Sequence, residues 1–238
     1  MNDPGGEIKK QKIIVAATTN EHKIAEVSAI AGLFGYMVVS RAEAKVPDIE
    51  IAETGTSFEE NSFLKAKAVF DMLGGGMIVI ADDSGIEVDA LDGAPGVYSA
   101  RFAGQEQPGK YMASSDGDAV DFEAADRDFE HMHRSRQDRA SNAKLLRLLK
   151  GLPKEKRTAR FVSVITCLRP GRETMVCRGE VEGYVGFEET GAEGFGYDPL
   201  FIPHGHERSF GLFTPEEKNA ISHRGKALVM LAEKLAAE

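Results

Sequence analysis

The stretch MIVIADDSGIEVDAL, residues 77–91, decides the fold. Its first five residues, MIVIA, form an apolar run that predicts a buried strand ending at Asp82 and Asp83. IEVDAL, residues 86–91, alternates apolar and polar residues, which predicts a second, half-exposed strand. ADDSG between them has the composition of a turn, but paired carboxylates after a buried strand also suit a ligand site. The stretch alone leaves the turn and the site equally open.

Upstream of this stretch, strand and helix patterns alternate. IIVAA at 13–17 and YMVVS at 36–40 are short apolar runs and predict strands. A helix is predicted between them, with Thr19 or Asn20 as its N-cap. The apolar face of that helix is predicted to consist of Val27, Ile30, Ala31 and Phe34.

A second helix is predicted to run to about Leu73. Thr56 and Glu59 have the spacing of a capping box at its start, and the glycines at 74–76 end it. Strand, helix, strand, helix, strand is the succession typical of an α/β fold.

The second half of the chain predicts a hairpin and more helices. RFVSVITCL at 160–168 and ETMVCRGEVEGYVGF at 173–187 read as two long strands that flank a turn. A helix is predicted to close at NAKLLRLLKGLP, residues 142–153. The C-terminal segment predicts one or two helices, with Ser222 as an N-cap.

The two cysteines are predicted to be reduced core residues. A tight hairpin turn that pairs Arg169 with Arg172 sets Cys167 opposite Thr174, so Cys167 and Cys177 are out of register for a disulfide. Reduced cysteines are consistent with a reducing cytosol.

Length and composition fit one large α/β domain. The chain has 238 residues, of which 42% are hydrophobic and 28% charged, enough for a packed core without disulfides. We predict a polar extension at 1–12 and a single two-lobed domain over 13–238. The acidic stretch at 105–135 lacks clear periodicity and predicts a surface insertion.

The charge balance narrows the class of partner. A net charge of −9 argues against a general nucleic-acid binder, although local cations or a metal ion still permit binding of a polyanion. No apolar stretch approaches 18 residues, so no membrane span is predicted. The polar N-terminus lacks the apolar core of a signal peptide, so we expect a cytoplasmic protein.

The segment TTNEHK, residues 18–23, is the first candidate site. It lies where a strand gives way to a helix, and the unpaired amides of a helix N-terminus attract phosphate. Lys23 adds a full positive charge. The alternative is an ordinary capped helix with a solvent-exposed lysine.

The adjacent acids form the second candidate site. Asp82 and Asp83 resist burial together, and Glu53 in AETG adds a third carboxylate from a neighbouring loop. A hard cation such as Mg²⁺ relieves both the repulsion and the desolvation.

Two C-terminal motifs suit a planar, hydrogen-bonding ligand. In GFGYDP, residues 194–199, Phe195 and Tyr197 can stack on a base and Asp198 can accept hydrogen bonds. An aromatic turn packed on the core is the alternative. KNAISHRG, residues 218–225, supplies three donors for a phosphate or a base carbonyl: Lys218, His223 and Arg224.

Together these blocks resemble the inosine/xanthosine triphosphate pyrophosphatase family. The family pattern TGN-x-x-K appears here as TTNEHK, and its ETG block as ETGTSFEENSFLKA. The long central block ADDSGIEVDALDGAPGVYSARFAG, residues 81–104, is the most specific match. GFGYDP and KNAISHRGKAL complete the order. The resemblance implies a mixed, twisted sheet with helices on its faces, two lobes and a central cleft.

The resemblance also implies roles for individual residues. Asp83 would bind Mg²⁺ and activate water, with Glu53 and Asp82 supporting the metal. Ser84 would touch the nucleotide. The triphosphate would be held by Thr18, Thr19, Asn20, Glu21, His22 and Lys23. The base and phosphates would be recognised by Phe195, Gly196, Tyr197, Asp198, Lys218, His223 and Arg224. A homodimer and hydrolysis of ITP, dITP or XTP to the monophosphate and pyrophosphate are implied as well.

Two departures and two rival functions accompany this resemblance. Thr19 stands where the family usually has glycine, and the 105–135 insertion is longer than the usual connection. A nucleotide sensor that only binds is one rival, although it has no need for all three acids. An enzyme acting on modified pyrimidine nucleotides is the other, and the GFGYDP and SHRG blocks favour a purine.

Overall fold

A mixed six-stranded sheet forms the centre of the protein. The computed structural model describes residues 12–104 and 136–237. The strands are β1 (Lys12–Ala16), β2 (Tyr36–Val39), β3 (Ile78–Val88), β4 (Thr158–Leu168), β5 (Met175–Val185) and β6 (Phe201–Pro203). Their order across the sheet is β2-β1-β3-β4-β5-β6. The first three strands are parallel, whereas β3 to β6 pair in antiparallel fashion. The predicted α/β class with a mixed sheet is confirmed.

Within residues 12–104 and 136–237, five α-helices pack around the sheet. They are α1 (Glu21–Leu33), α2 (Phe58–Met72), α3 (Arg136–Leu148), α4 (Pro215–Ile221) and α5 (His223–Ala236). On one face, Val27 of α1 and Leu228 of α5 pack in one apolar cluster with Ile80 of β3. On the other face, Val69 of α2 packs with Val79. Successive residues of a strand point to opposite faces, so β3 delivers neighbouring side chains to two different environments.

The strand β3 corrects one prediction. ADDSG is not a turn between two strands, because β3 continues from Ile78 to Val88. The parallel partner β1 ends opposite Ile80, whereas β4 pairs with β3 along almost its whole length. The ladder with β4 therefore keeps Asp82 and Asp83 extended, and both lie just past the carboxyl end of β1.

The helix ends agree with prediction in two places. Asn20 caps α1 by accepting from the Lys23 amide, and Ser222 caps α5 by accepting from the Gly225 amide. Phe34, predicted on the buried face of α1, is instead 43% exposed because the helix ends there.

The cap of α2 lies one residue later than predicted. Ser57 accepts from the Glu60 amide, and the Glu60 carboxylate accepts from the Thr56 amide at 2.6 Å. The sequence TSFEE contains two overlapping matches to the capping spacing, and the predicted pair, Thr56 with Glu59, is the one that is not used.

The hairpin of β4 and β5 is shifted by one residue. Cys167 lies opposite Met175, not Thr174, and Cys177 lies opposite Ile165. The connection holds one residue more than a two-residue turn at Pro170-Gly171 would. Both cysteines are buried and are not joined in a disulfide, as predicted.

Part of the sequence-based picture lies outside the described residues. This applies to residues 1–11 of the predicted extension and to the 105–135 insertion. A single domain over 13–238 stays a prediction. Within 12–104 and 136–237, no helix is both long and apolar enough to cross a membrane.

Candidate active site

A cavity of about 410 Å³ opens between α1, the 194–199 turn and the start of α5. Most of the predicted binding residues line it: Asn20, His22, Lys23, Ser84, Phe195, Gly196, Tyr197, Asp198, Lys218, His223 and Arg224. Three predicted residues do not line it, namely Thr18, Thr19 and Glu21. Thr18 accepts from the Asn20 amide at 3.1 Å, and Thr19 and Glu21 are exposed to solvent. A larger cavity, about 590 Å³, lies beside Thr56–Glu59 and contains none of the predicted residues.

A chain of charges of alternating sign supports this cavity. It begins at Asp82, whose carboxylate contacts Lys23 at 2.7 Å and Arg224 at 3.0 Å. Arg224 also pairs with Glu26, which contacts Lys218 at 2.8 Å. The chain ends where Lys218 meets Asp198 at 2.7 Å. Buried charges are tolerated when they are paired in this way.

The protonation states in this chain follow from the pairing. Burial alone would raise the pKa of Asp82, but Arg224 and Lys23 outweigh it and hold the pKa well below its usual range. Burial is likewise outweighed at Glu26, where Arg224 and Lys218 lower the pKa to about 2. Both acids are therefore anions. Asp82 and Glu26 outweigh burial and raise the pKa of Arg224, and Asp198 and Glu26 do the same for Lys218, so these two cations stay charged.

His223 is a neutral donor or acceptor inside the cavity. Burial, followed by the positive charges of Arg224 and Lys218, lowers the pKa of His223 well below its usual value. Its ring stacks on Phe161 with the centroids 4.8 Å apart. In the described part of the chain, no atom bonds to its buried Nδ1. That nitrogen is therefore a buried polar atom whose hydrogen-bonding capacity is unused by the described residues.

The two aromatic residues of the 194–199 turn have different roles. The Phe195 ring stacks on His22 at 5.3 Å, and the Lys218 ammonium lies 4.8 Å from its centroid. Tyr197 is held in the core, where its hydroxyl donates to the Ser99 carbonyl at 2.9 Å. Tyr197 was predicted to stack on a base beside Phe195, but its buried ring leaves Phe195 as the stacking surface of the turn.

A glycine is required at the start of this turn. Gly194 has φ +72, and a Cβ atom there would lie 2.1 Å from Oδ2 of Asp198. The same oxygen accepts from the Phe195 amide at 2.8 Å. The close approach of backbone and carboxylate fixes the position of Phe195.

Asp83 lies on the opposite face of β3 from Asp82. Lys65 of α2 donates to Oδ1 of Asp83 at 2.6 Å and to Glu53 at 3.1 Å. Arg101 lies 3.5 Å from Glu53. Burial raises the pKa of Asp83, and Lys65 offsets that rise only in part. Oδ2 of Asp83 is buried and has no hydrogen-bond partner within the described ranges.

The three predicted metal ligands are therefore not gathered at one point. Within 12–104 and 136–237, no group of three or more acidic, histidine or cysteine side chains could hold a metal. Asp82 is occupied by two cations and by the Ser163 hydroxyl, which donates at 2.5 Å. Asp83 and Glu53 share one face. Mg²⁺ usually takes one or two carboxylates together with water and substrate phosphates, so these two residues fit it.

Lys23 connects the two faces of β3. It pairs with Asp82, while burial lowers its pKa and the nearby charges of Lys65 and Arg224 lower it further. The lysine at the end of the 18–23 loop is thus within electrostatic range of both acid clusters. Lys23 itself lines the 410 Å³ cavity, whereas neither Asp82 nor Asp83 is among the described residues that line it.

Three important residues were missed by the sequence analysis: Glu26, Lys65 and Ser163. Glu26 lies almost one helical turn after Lys23, and Lys65 lies one turn after Asn61 on the buried face of α2. A polar residue in an amphipathic helix usually faces solvent, so only the spacing gave a signal. Ser163 sits in an apolar strand, where a lone hydroxyl gives none.

Comparisons with known proteins identify the family to which the chain is similar. The model of the Ham1 family matches residues 14–121 and 125–234. A dITP/XTP pyrophosphatase from Exiguobacterium sibiricum is 42% identical over 218 residues, covering 92% of this chain and 94% of that protein. One from Bacillus subtilis is 41% identical over 230 residues, covering 97% and 99%. The solved structure of the Staphylococcus aureus Ham1 protein superposes with a TM-score of 0.72 at 35% identity, covering 95% and 99%.

Proposed function

The chain belongs to the Ham1 family, and we propose that its two-faced cleft hydrolyses non-standard purine nucleoside triphosphates to the monophosphate and pyrophosphate. It is a nucleoside-triphosphate pyrophosphatase, in line with relatives named dITP/XTP pyrophosphatase. One observation supports the assignment of base binding to one face of β3 and hydrolysis to the other. Lys23 lines the donor-rich cavity and pairs with Asp82, and its positive charge also acts on Asp83 across β3.

The cavity on the Asp82 face would bind the base. Phe195 offers a stacking surface, while Lys218 and Arg224 offer donors and neutral His223 offers Nδ1. Hypoxanthine and xanthine carry an acceptor oxygen at position 6, which these donors satisfy. Adenine has an amino group there, and leaving buried donors unpaired costs roughly 1–3 kcal/mol each.

The triphosphate would run from the cavity along the 18–23 loop towards the Asp83 face. The amides at the start of α1 and the Lys23 ammonium attract its oxygens. Lys65 and Arg101 continue the positive surface on the far side. In this assignment, Asp82 is not a metal ligand. It fixes Lys23 and Arg224 so that one cation meets phosphate and the other meets the base, with Ser84 beside them.

Asp83 would act as the base in hydrolysis. Its free Oδ2 accepts a proton from water that attacks the α-phosphorus, and pyrophosphate leaves. Glu53 and Asp83 would hold Mg²⁺, which neutralises phosphate charge when bound. Lys65 keeps the Asp83 carboxylate in place, and Asp83 and Glu53 together outweigh burial to raise the pKa of Lys65. Lys65 therefore stays charged.

A substrate panel tests the proposal. We expect ITP, dITP and XTP to be converted, in the presence of Mg²⁺, to monophosphate and pyrophosphate, which ion-exchange chromatography resolves. GTP, ATP and a modified pyrimidine triphosphate serve as comparisons. Release of orthophosphate, or equal rates with ATP, would contradict it. Binding of ITP without turnover would instead favour the sensor.

Two further properties belong to the same proposal. A homodimer and a cytoplasmic location accord with the resemblance, and two buried cysteines without a disulfide accord with a reducing compartment. Light scattering with size-exclusion chromatography would determine the oligomeric state.

A further inference from the structure

Helix α3 holds both peptide groups that flank Gly196 in the aromatic turn. The Gly196 amide donates to Oδ2 of Asp138 at 3.1 Å. The Gly196 carbonyl accepts from Nδ2 of Asn142, also at 3.1 Å. Asp138 and Asn142 are four residues apart, so they lie on the same face of α3. One helix face therefore grips the backbone next to Phe195.

The backbone at Gly196 depends on these hydrogen bonds. Gly196 has φ +57, in the left-handed region, and no described atom lies within 4 Å of the point where a Cβ would be. The side of Gly196 on which a Cβ would lie is thus open, and the contacts from α3 are made to its backbone. Because Phe195 precedes it directly, the orientation of the Phe195 ring follows from the Gly196 peptide groups.

Asn142 is fully buried, and its side chain donates to the Gly196 carbonyl. It is 0% exposed, and in the described part of the chain its Oδ1 has no hydrogen-bond partner. A buried amide with one half unpaired is a cost to stability. Asp138, in contrast, lines the 410 Å³ cavity itself. The pair spans the distance from the core to the rim of the candidate base site.

We propose that Asp138 and Asn142 are positioning residues for base recognition, acting through Gly196 on Phe195. The inference rests on the proposed function, in that the cavity must receive the base. Neither residue is assigned a part in the hydrolysis, which lies on the Asp83 face.

Steady-state kinetics of Asp138→Ala with ITP provide the test. We expect KM to rise about tenfold with kcat within about twofold, because the lost hydrogen bond affects binding of the base in ground and transition states alike. Inorganic tripolyphosphate, which has no base, should inhibit the variant and the wild type competitively with equal Ki. Asp138→Asn keeps an oxygen acceptor for the Gly196 amide and should restore KM. Arg147→Ala, an exposed change on the same helix, is the control.

Several outcomes would overturn the inference. An unchanged KM in Asp138→Ala would remove the positioning role, and a parallel rise in KM and in the tripolyphosphate Ki would show a general disruption. Failure of Asp138→Asn to restore KM would show that the charge of Asp138 itself matters. Asn142→Ala should resemble Asp138→Ala, and the Asp138 series decides alone if Asn142→Ala does not fold. Absence of ITP hydrolysis by the wild type would contradict the proposed function instead.

Discussion

Adjacent aspartates on the two faces of β3 occupy opposite electrostatic settings. Asp82 is 5% exposed and Asp83 6%, so burial does not distinguish them. Asp82 has two cationic partners and two hydroxyl donors, Ser163 and Ser84, and its pKa is held far down. Asp83 has one cationic partner, and burial raises its pKa. The strand alternation thus separates Asp82, which pairs with Lys23 and Arg224, from Asp83, which pairs with Lys65.

The largest expected effect comes from substitution of Asp83, the proposed base in hydrolysis. Asp83→Asn keeps shape but removes the proton acceptor, so kcat for ITP should fall roughly a thousandfold or more. Circular dichroism should show an unchanged fold. Asp71→Asn, which disrupts an exposed ion pair with Lys67, is the matched control and should keep full turnover. Near-normal turnover in Asp83→Asn would exclude Asp83 as the base.

Substitution of Asp82 should instead act mainly by lowering the stability of the protein. Asp82→Asn leaves Lys23 and Arg224 with one buried counter-charge fewer, which should lower the free energy of unfolding by roughly 3–5 kcal/mol. Urea titration measures this. KM for ITP should rise as well, because both cations lose their anchor. A variant as stable as the wild type would show that the two aspartates do not differ in the way described.

The sequence could identify both aspartates as site residues, but it could not show which of them pairs with Lys23 and Arg224 and which pairs with Lys65. The motifs located both aspartates and the residues around the cavity, since blocks such as GFGYDP and SHRG are contiguous. The prediction of two separate strands on either side of ADDSG hid the alternation, because only pairing with β4 shows that residues 82–85 are extended. Partners from distant elements depend on tertiary packing: Ser163 leaves no local pattern, and the helical spacing of Lys65 does not identify the acids that it contacts.

The smallest expected effect concerns the pH dependence of stability that arises from Glu26, which pairs with Lys218 and Arg224. The pKa of Glu26 falls from 4.5 to about 2 on folding, so its ionised form stabilises the protein above pH 4.5 and this contribution is lost as pH falls towards 2. The shift corresponds to about 3 kcal/mol. Urea unfolding of wild type and Glu26→Gln should therefore differ most at pH 6–7 and converge towards pH 3. Parallel pH curves would contradict the pairing of Glu26 with Lys218 and Arg224.

A crystal structure tests most directly whether the base binds on the Asp82 face of β3 and the metal on the Asp83 face. The complex would contain Mg²⁺ and a non-hydrolysable α,β-imido analogue of ITP. The account predicts the purine against Phe195 and His223 in the 410 Å³ cavity and the metal bound to Asp83, with Asp82 still paired to Lys23 and Arg224. A metal bound to Asp82, or a purine in the 590 Å³ cavity beside Thr56–Glu59, would contradict it.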